Sequence, residues 1–247
     1  MHTPRIYTPI ELDVGQEVIL NQTISHHIRT VLRKTKSDPV ILFNAIDHYD
    51  YSGFILELDK KIVKIKLEKK LQRSSIFELK INLYPALIKP DPFDWLIQKA
   101  TELGVFEIHP VFTEYTDVKI NQDFSKKLEH WQKIIIRAAE QCNRNTVPKI
   151  YRPEKIKNLE FKDDFKNDLN IVLHHLNGKC LKEIKNVKLS SDRINLFTGP
   201  EGGFSDQDWV DFENLGIKYQ LVLLKPHVLK AETASVSAMS YLVNAIN

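Results

Sequence analysis

The sequence predicts an α/β protein of two domains, in which a small β-rich barrel precedes a larger domain built on a mainly parallel sheet. Short strand patterns crowd the first 73 residues, a polar stretch at Gln72-Arg73-Ser74-Ser75 follows, and longer strands and helices alternate after it. Such alternation is typical of a parallel sheet with helices on its faces. We therefore predict one domain over residues 1–73 and a second over residues 74–247.

The N-terminal domain is predicted to contain short strands and one helix. The strands cover residues 17–20, 39–43, 54–58 and 62–67, and the last of these alternates apolar and basic residues. The helix covers residues 23–32, with a Thr or Ser cap, and leads into Arg33-Lys34-Thr35-Lys36. Strands this short and this close together favour a small barrel.

The larger domain is predicted to alternate five strands with four helices. Its strands cover residues 79–83, 108–112, 171–173, 194–197 and 220–224. Its helices run from Pro92 to a glycine stop at Leu103-Gly104, from Ser125, from Ser205 to Leu215, and from Glu232 to Ile246. The helix from Ser125 places Leu128, Trp131, Ile135 and Ala138 on one face.

Composition predicts a cytoplasmic protein without a membrane or metal partner. No apolar run approaches the roughly 20 residues that span a bilayer, and the first residues lack a signal-peptide pattern. The two cysteines, Cys142 and Cys180, suit a reducing compartment, and no His or Cys residues have metal-ligand spacing. The net charge of +3 arises in residues 1–73, which hold 12 Lys and Arg against 9 Asp and Glu. This excess is either chance or a basic surface for a polyanion such as RNA.

The segment Thr198-Gly199-Pro200-Glu201-Gly202-Gly203, hereafter the glycine turn, is predicted to bind a ligand. It follows an apolar strand and precedes a helix with the capping pattern Ser205-Asp206-Gln207-Asp208. Ligands of open α/β sheets bind at the carboxyl ends of the strands, and adjacent glycines let the backbone approach a ligand closely. The spacing matches neither a Rossmann fingerprint nor a P-loop, and Glu201 would repel phosphate. A cationic or amphoteric ligand, such as an amino-acid-like or sulfonium compound, is therefore favoured.

Two further clusters are candidates for ligand contacts. Residues 223–230 follow the next strand and lead into a helix whose first turns are rich in Ala and Ser. Glu140-Gln141-Cys142-Asn143-Arg144-Asn145 closes the helix from Ser125, where amide and guanidinium groups are suited to bind a base or a carboxylate. Close helix packing and solvated helix ends are the structural alternatives.

Taken in order, these motifs resemble the bacterial RsmE-type family, which are uracil-N3 methyltransferases of small-subunit ribosomal RNA in the SPOUT superfamily. The resemblance covers nearly the whole chain. It rests on Pro4-Arg5-Ile6-Tyr7, residues 26–33, residues 97–104, residues 140–145, Gly199-Pro200-Glu201-Gly202-Gly203 and residues 228–234.

The resemblance implies a fold and a set of partners. It implies an N-terminal PUA-like barrel that grips RNA and a C-terminal methyltransferase domain threaded into a deep trefoil knot. It also implies S-adenosylmethionine as the cofactor, 16S ribosomal RNA of the small subunit as the substrate, and a homodimer that completes each site.

The site residues expected on this basis fall into three groups. The expected cofactor contacts are Leu173, His174, Thr198, Gly199, Pro200, Glu201, Gly202, Gly203, Leu223, Leu224, Lys225, Val228, Leu229 and Thr233. The expected catalytic residues are Arg144 and Arg5 for charge on the uracil carbonyls, with Glu201, Glu140 or Glu232 supporting proton removal or orienting those cations. The expected RNA phosphate contacts are Arg5, Arg29, Arg33, Lys34 and Lys36.

The sequence departs from the family pattern near the second loop, where Lys225, His227 and Lys230 stand in place of Gly and Arg. Lysine is not equivalent to an arginine fork, so any role that depends on such a fork is in doubt. Two alternatives stay open: a knotted methyltransferase that acts on a tRNA base or a ribose, and a non-catalytic RNA-binding protein of the ribosome.

Overall fold

The computed structural model describes residues 3–59, 62–72, 79–116, 123–160, 168–184, 192–224 and 227–246. The chain forms two compact units, one of Met1–Ile76 with Ala139–Val147 and the other of Phe77–Ala138 with Pro148–Asn247. The boundary predicted at residue 73 falls in a stretch outside the described residues. The N-terminal unit therefore also includes a segment, Ala139–Val147, that lies far along the chain.

The N-terminal unit is a five-stranded half-barrel with strand order β1-β3-β4-β5-β2. Its strands are β1 (Arg5–Tyr7), β2 (Glu17–Leu20), β3 (Pro39–Phe43), β4 (Tyr49–Leu58) and β5 (Val63–Gln72). β1 pairs with β3 in parallel and the other pairs are antiparallel. The strand alternation predicted β2 and β3 with their observed ends, whereas it omitted β1, because three residues are too few to show a period of two.

The helical segment of the half-barrel differs from its prediction in its cap and its winding. α1 (Gln22–His26) begins after Asn21, whose side-chain oxygen accepts a hydrogen bond of 2.9 Å from the Ile24 amide. The predicted Thr or Ser cap is therefore wrong, since an Asn one turn earlier already binds the free amide. The chain continues as a π-helical turn over His27–Val31 instead of an α-helix to residue 32.

The C-terminal unit has the predicted parallel sheet, which contains seven strands in the order β12-β14-β11-β13-β6-β7-β9. The strands are β6 (Lys80–Pro85), β7 (Glu107–Ile108), β9 (Lys149–Ile150), β11 (Leu169–Leu173), β12 (Lys179–Cys180), β13 (Arg193–Thr198) and β14 (Tyr219–Leu223). The strand predicted over 108–112 is wrong as a single element. Pro110 interrupts it, and its second half, β8 (Val111–Phe112), pairs with β10 (Glu154–Lys155) in a separate sheet.

Five α-helices are described in this part of the chain: α2 (Pro90–Glu102), α3 (Ser125–Gln141), α4 (Leu181–Ile184), α5 (Asp206–Asn214) and α6 (Ala231–Ile246). α2 begins at Pro90 and stops, as predicted, before Gly104, whose φ of 92° lies in the region that favours glycine. α5 has the predicted capping box between Ser205 and Asp208.

A buried row of amides fixes the register of the three strands in the middle of this sheet. The Asn82 side chain donates a hydrogen bond of 2.9 Å to the Asn195 oxygen, and the Asn195 side chain in turn donates one of 2.9 Å to the Asn170 oxygen. These three residues are aligned across β6, β13 and β11. A slip of any strand would leave buried amides without partners, so the row keeps the strand ends level with one another.

Candidate functional site

A cavity of about 320 Å³ opens at the carboxyl ends of three neighbouring parallel strands, β14, β11 and β13. One wall comes from each strand end, and the first turn of α6 closes the fourth side. Small-molecule pockets have volumes of about 300–1,000 Å³, so the space is sufficient for a ligand of that class. The position is the one expected for a ligand site in an open α/β sheet.

Most of the residues predicted to contact a cofactor line this cavity. They are Leu173, His174, Thr198, Gly199, Pro200, Glu201, Gly202, Gly203, Leu223, Leu224, Val228 and Leu229. Thr233 is not part of the lining, and Lys225 lies outside the described residues. Four lining residues are additional to the prediction: His175, His227, Ala231 and Ala234. They flank predicted residues, so extending each motif by a few positions would have included them.

The glycine turn is shaped by contacts that a larger residue would prevent. The Gly203 amide donates a hydrogen bond of 2.9 Å to the Pro200 carbonyl, and Gly203 has a φ of +74°. A Cβ on Gly203 would also approach the His175 ring to 3.3 Å. Glycine is therefore required here by its backbone conformation as well as by space.

Thr198, the first residue of the turn, is held by backbone and side-chain hydrogen bonds. Its carbonyl accepts a hydrogen bond of 2.8 Å from the Ala86 amide, and its hydroxyl lies 2.8 Å from the Ser235 hydroxyl. Ser235 also lies 2.8 Å from the carbonyl oxygen of Ala231, which can only accept. Both contacts are satisfied when Thr198 donates to Ser235 and Ser235 donates to Ala231. This chain of hydrogen bonds attaches the turn to the start of α6.

His174 on the opposite wall is held as the neutral tautomer protonated on Nε2. Its Nδ1 accepts hydrogen bonds from the Leu176 amide at 3.0 Å and the Asn177 amide at 2.9 Å. Burial lowers the pKa of His174, and the neighbouring His175 lowers the pKa further. A neutral imidazole therefore orders the loop after β11 at neutral pH.

The charge of the lining favours a ligand with a positive group. Glu201 is exposed, and it supplies the sole carboxylate among the described residues that line the cavity. Leu173, Leu223 and Leu229 provide apolar surface beside it. A ligand with a cationic end and an apolar planar body matches this combination of groups, and the glycine backbone allows it to approach closely.

Arg5 has a structural environment that differs from its predicted roles. Its guanidinium is 1% exposed and forms an ion pair of 2.8 Å with Asp50, whose side chain is fully buried. It also donates 3.1 Å to the Ala139 carbonyl and lies 3.7 Å above the Phe43 ring. A guanidinium buried in this way is held by Asp50 and Ala139, so the predicted contacts of Arg5 with RNA or uracil would require this ion pair to open.

The segment of residues 140–145 lies in the N-terminal unit, where part of it packs on the half-barrel. The Glu140 carboxylate accepts a hydrogen bond of 3.0 Å from the Tyr7 amide, and the Asn145 side-chain amide donates one of 3.1 Å to the Asp50 carboxylate. These contacts give Glu140 and Asn145 a role in joining distant parts of one unit. Arg144 is half-buried, and its Nε donates 2.7 Å to the Thr146 hydroxyl.

Comparison with known proteins identifies the chain. Residues 76–243 match the model of an RNA methyltransferase domain, and residues 20–68 match that of an RNA methyltransferase PUA domain. A protein of Buchnera aphidicola, named ribosomal RNA small subunit methyltransferase E, is 35% identical over 97% of this chain and 92% of its own length. The chain belongs to this methyltransferase E family.

Solved structures of relatives include complexes with a cofactor. A methyltransferase from Legionella pneumophila, determined with bound SAM, has a TM-score of 0.89 and 33% identity over 99% of this chain and 98% of its own. A ribosomal RNA small subunit methyltransferase E from Neisseria gonorrhoeae, bound to S-adenosyl methionine, has a TM-score of 0.86 and 28% identity over 98% of each chain. The predicted α/β fold, with a mostly parallel sheet and an N-terminal PUA-like half-barrel, is thus confirmed.

Four of the five predicted RNA-facing cations, all except Arg5, lie within the part of this methyltransferase E chain that matches the PUA model. Arg33 and Lys36 are exposed, whereas Arg29 and Lys34 are half-buried. Arg33 adopts a φ of 51° after Leu32, which caps the π-helical turn, and the helical segment ends there. The four residues therefore stand together on one short segment at the surface of the half-barrel.

The remaining predicted residue, Glu232, lies in the first turn of α6 and is half-buried, but it does not line the cavity. In the described parts of the chain, no helix is long and apolar enough to cross a membrane. No cluster of His, Cys, Asp or Glu among these residues is arranged to hold a metal ion.

Proposed function

We propose that this methyltransferase E chain transfers a methyl group from S-adenosylmethionine to N3 of a uridine in 16S ribosomal RNA of the small ribosomal subunit. The observation that carries the proposal is the cavity formed by the glycine turn and two neighbouring strand ends. Its apolar walls, exposed carboxylate and glycine backbone suit the amphoteric cofactor that two structural relatives are described as binding.

The chain's own residues would hold this cofactor largely through backbone groups. The glycine turn, Leu223, Leu224 and residues 227–229 line the cavity with backbone groups, and Glu201 attracts the positive charge of the ligand. When bound, S-adenosylmethionine supplies a methyl group on a cationic sulfur. Methyl transfer is an in-line displacement, so alignment of the uracil nitrogen with that methyl is the main contribution of the protein.

The uracil nitrogen must also lose its proton, which leaves negative charge on the adjacent carbonyls. We propose that Arg144 stabilises this charge. Burial lowers the pKa of Arg144 to about 10, so the guanidinium is still protonated at neutral pH. Of the predicted acids, Glu201 lines the cavity and is the preferred group for supporting proton removal or for orienting a cation.

Three wider features complete the proposal. The protein acts in the cytoplasm, where ribosomal subunits are assembled. It forms a homodimer that completes each site, and its C-terminal unit is threaded as a deep trefoil knot. Both expectations follow from membership of the methyltransferase E family.

The test is a methylation assay on ribosomal subunits from a strain that lacks the gene for this protein. The protein is incubated with labelled cofactor and, in parallel reactions, with purified small subunits or with tRNA from that strain, and the modified nucleotide is mapped by mass spectrometry. We expect one methylated uridine in 16S ribosomal RNA. Label in tRNA or on a ribose would overturn the proposed target, and cofactor binding that calorimetry fails to detect would favour a non-catalytic RNA-binding protein.

Arg144→Ala is expected to lower kcat by about 100-fold or more, because it removes a group that stabilises charge in the transition state. The Kd for the cofactor should stay unchanged, because the variant leaves the cavity lining intact. Arg144→Lys is the matched control and should recover part of the rate, since lysine retains the charge but not the planar fork. Unchanged methylation by Arg144→Ala would remove Arg144 from the mechanism.

Arg33→Ala and Lys36→Ala are expected to weaken RNA binding and its dependence on salt. Each phosphate contact that is lost should reduce the slope of log K against log salt by about 0.7–0.9. Fluorescence titrations of a small-subunit RNA fragment at several salt concentrations measure this slope. Lys126→Ala, an exposed lysine of α3, serves as the control and should leave the slope unchanged. Equal slopes in all three variants would exclude the predicted phosphate contacts.

A further inference from the structure

Tyr115 is an exposed aromatic side chain that borders the candidate cofactor cavity. It is 55% exposed, although its ring and Cβ lie directly against Gly202 of the glycine turn. A Cβ placed on Gly202 would approach Cδ2 of Tyr115 to 3.2 Å and Cγ to 3.5 Å. Gly202 lines the cavity, so Tyr115, although not itself a lining residue, packs against the wall of the cavity.

The position of Tyr115 is fixed by a closed turn. The Thr116 amide donates a hydrogen bond of 3.2 Å to the Thr113 carbonyl, and the Thr113 amide donates one of 3.1 Å to the Thr116 hydroxyl. The two threonine hydroxyls also lie 2.9 Å apart. Tyr115 is thus a central residue of a hydrogen-bonded turn over residues 113–116.

A second set of hydrogen bonds ties this turn to the start of α5. The Glu114 amide donates a hydrogen bond of 3.2 Å to the buried carboxylate of Asp208, which also accepts one of 2.9 Å from the Ser205 amide. Ser205 caps α5, the helix that follows the glycine turn. One carboxylate therefore holds both the helix start and the residue next to Tyr115, so that the ring keeps its place beside the glycine turn.

We propose that Tyr115 is a positioning residue for the RNA substrate and that its ring stacks on the base at or next to the methylated position. The inference rests on the proposed function, because it requires an RNA base to approach the cavity. A base stacks on an exposed aromatic face, and the 55% exposed ring of Tyr115 offers one on a turn whose backbone is held by hydrogen bonds. Such stacking contributes about 1–3 kcal/mol per base in proteins that bind single-stranded nucleic acid.

Steady-state methylation of small subunits by Tyr115→Ala, Tyr115→Phe and Tyr115→Leu tests the proposal. Loss of stacking should lower kcat/KM by about 5- to 150-fold in Tyr115→Ala, mainly through a higher KM. Tyr115→Phe should stay near the wild-type value because it keeps the ring. Tyr115→Leu keeps apolar packing on Gly202 without a ring, so it should behave like Tyr115→Ala. The cofactor Kd from calorimetry should be the same in all of them.

Phe106→Ala is the matched control, since Phe106 is a 39% exposed aromatic residue of the same unit that does not line the cavity. Wild-type kcat/KM in Tyr115→Ala would overturn the proposal, as would full activity in Tyr115→Leu. A loss in Tyr115→Phe equal to that in Tyr115→Ala would assign the role to the hydroxyl instead of the ring. A parallel loss of cofactor affinity would place the ring against the cofactor instead of the RNA. A wild-type protein that methylates no RNA would overturn the proposed function and the stacking role with it.

Discussion

Arg5→Ala is expected to lower the free energy of unfolding of the N-terminal unit by about 3–5 kcal/mol. The substitution removes the guanidinium fork from the carboxylate of Asp50, which is fully buried and also accepts a hydrogen bond from the Asn145 amide. It also removes the hydrogen bond to the Ala139 carbonyl and the guanidinium that covers the Phe43 ring. Breaking a buried ion pair on one side costs more than the pair itself contributes, because the remaining charge stays desolvated.

Denaturant titration combined with hydrogen exchange of the amides in β1, β3 and β4 measures this loss within the unit that contains the pair. Arg29→Ala removes a half-buried arginine from the same unit and should change stability by less than about 1 kcal/mol. The loss of stability in Arg5→Lys should lie between those in Arg29→Ala and Arg5→Ala, because lysine keeps the charge but cannot bind both carboxylate oxygens as a fork. Wild-type exchange rates in Arg5→Ala would show that the ion pair is not required by the fold.

Gly178→Ala is expected to weaken cofactor binding by at least about tenfold, with a loss of thermal stability. Gly178 has a φ of +141°, and a Cβ there would lie 2.8 Å from the carbonyl carbon and oxygen of Leu221 and 2.9 Å from the Val222 amide nitrogen. These atoms belong to β14, which pairs on both sides, so they cannot move away without breaking the sheet. The loop after β11 must shift instead, and that loop carries His174 and His175 into the cavity wall.

Gly216→Ala is the matched control for this substitution. Gly216 also has a positive φ, +64°, but a Cβ there would meet no atom within 4 Å. Gly216→Ala should lower the free energy of unfolding by about 1 kcal/mol through backbone strain and leave the cofactor Kd unchanged. Calorimetric titration of both variants with S-adenosylmethionine makes the comparison. Equal affinity in the two variants would mean that the loop after β11 does not shape the binding site.

The sequence was most informative where function requires several unusual residues in succession. The glycine turn was predicted in place, because three glycines, a proline and an acid between a strand and a capped helix exceed what a simple turn needs. The strands that carry the cavity were also predicted, since buried parallel strands appear as continuous apolar runs. Strands of two or three residues, such as β9 and β12, leave no such pattern.

Pairings between distant residues were beyond the reach of sequence patterns. Arg5 belongs to a basic N-terminal region and was assigned to RNA, but its partner Asp50 lies 45 residues away and Ala139 lies 134 residues away. Tyr115 stands in a loop without periodicity, and its relation to Gly202 exists only in the folded chain. Both residues take their roles from tertiary neighbours, which composition and spacing do not encode.

The inclusion of Ala139–Val147 in the N-terminal unit has a consequence for the order of synthesis and folding. The ribosome must add 71 residues after Ile76 before Val147 is made, which takes about 4 to 14 s at bacterial elongation rates of about 5–20 residues per second. During this interval the half-barrel lacks the Ala139 carbonyl that receives Arg5 and the Asn145 amide that binds Asp50. The first unit to be synthesised therefore completes its buried hydrogen bonds only after more than half of the chain has been made.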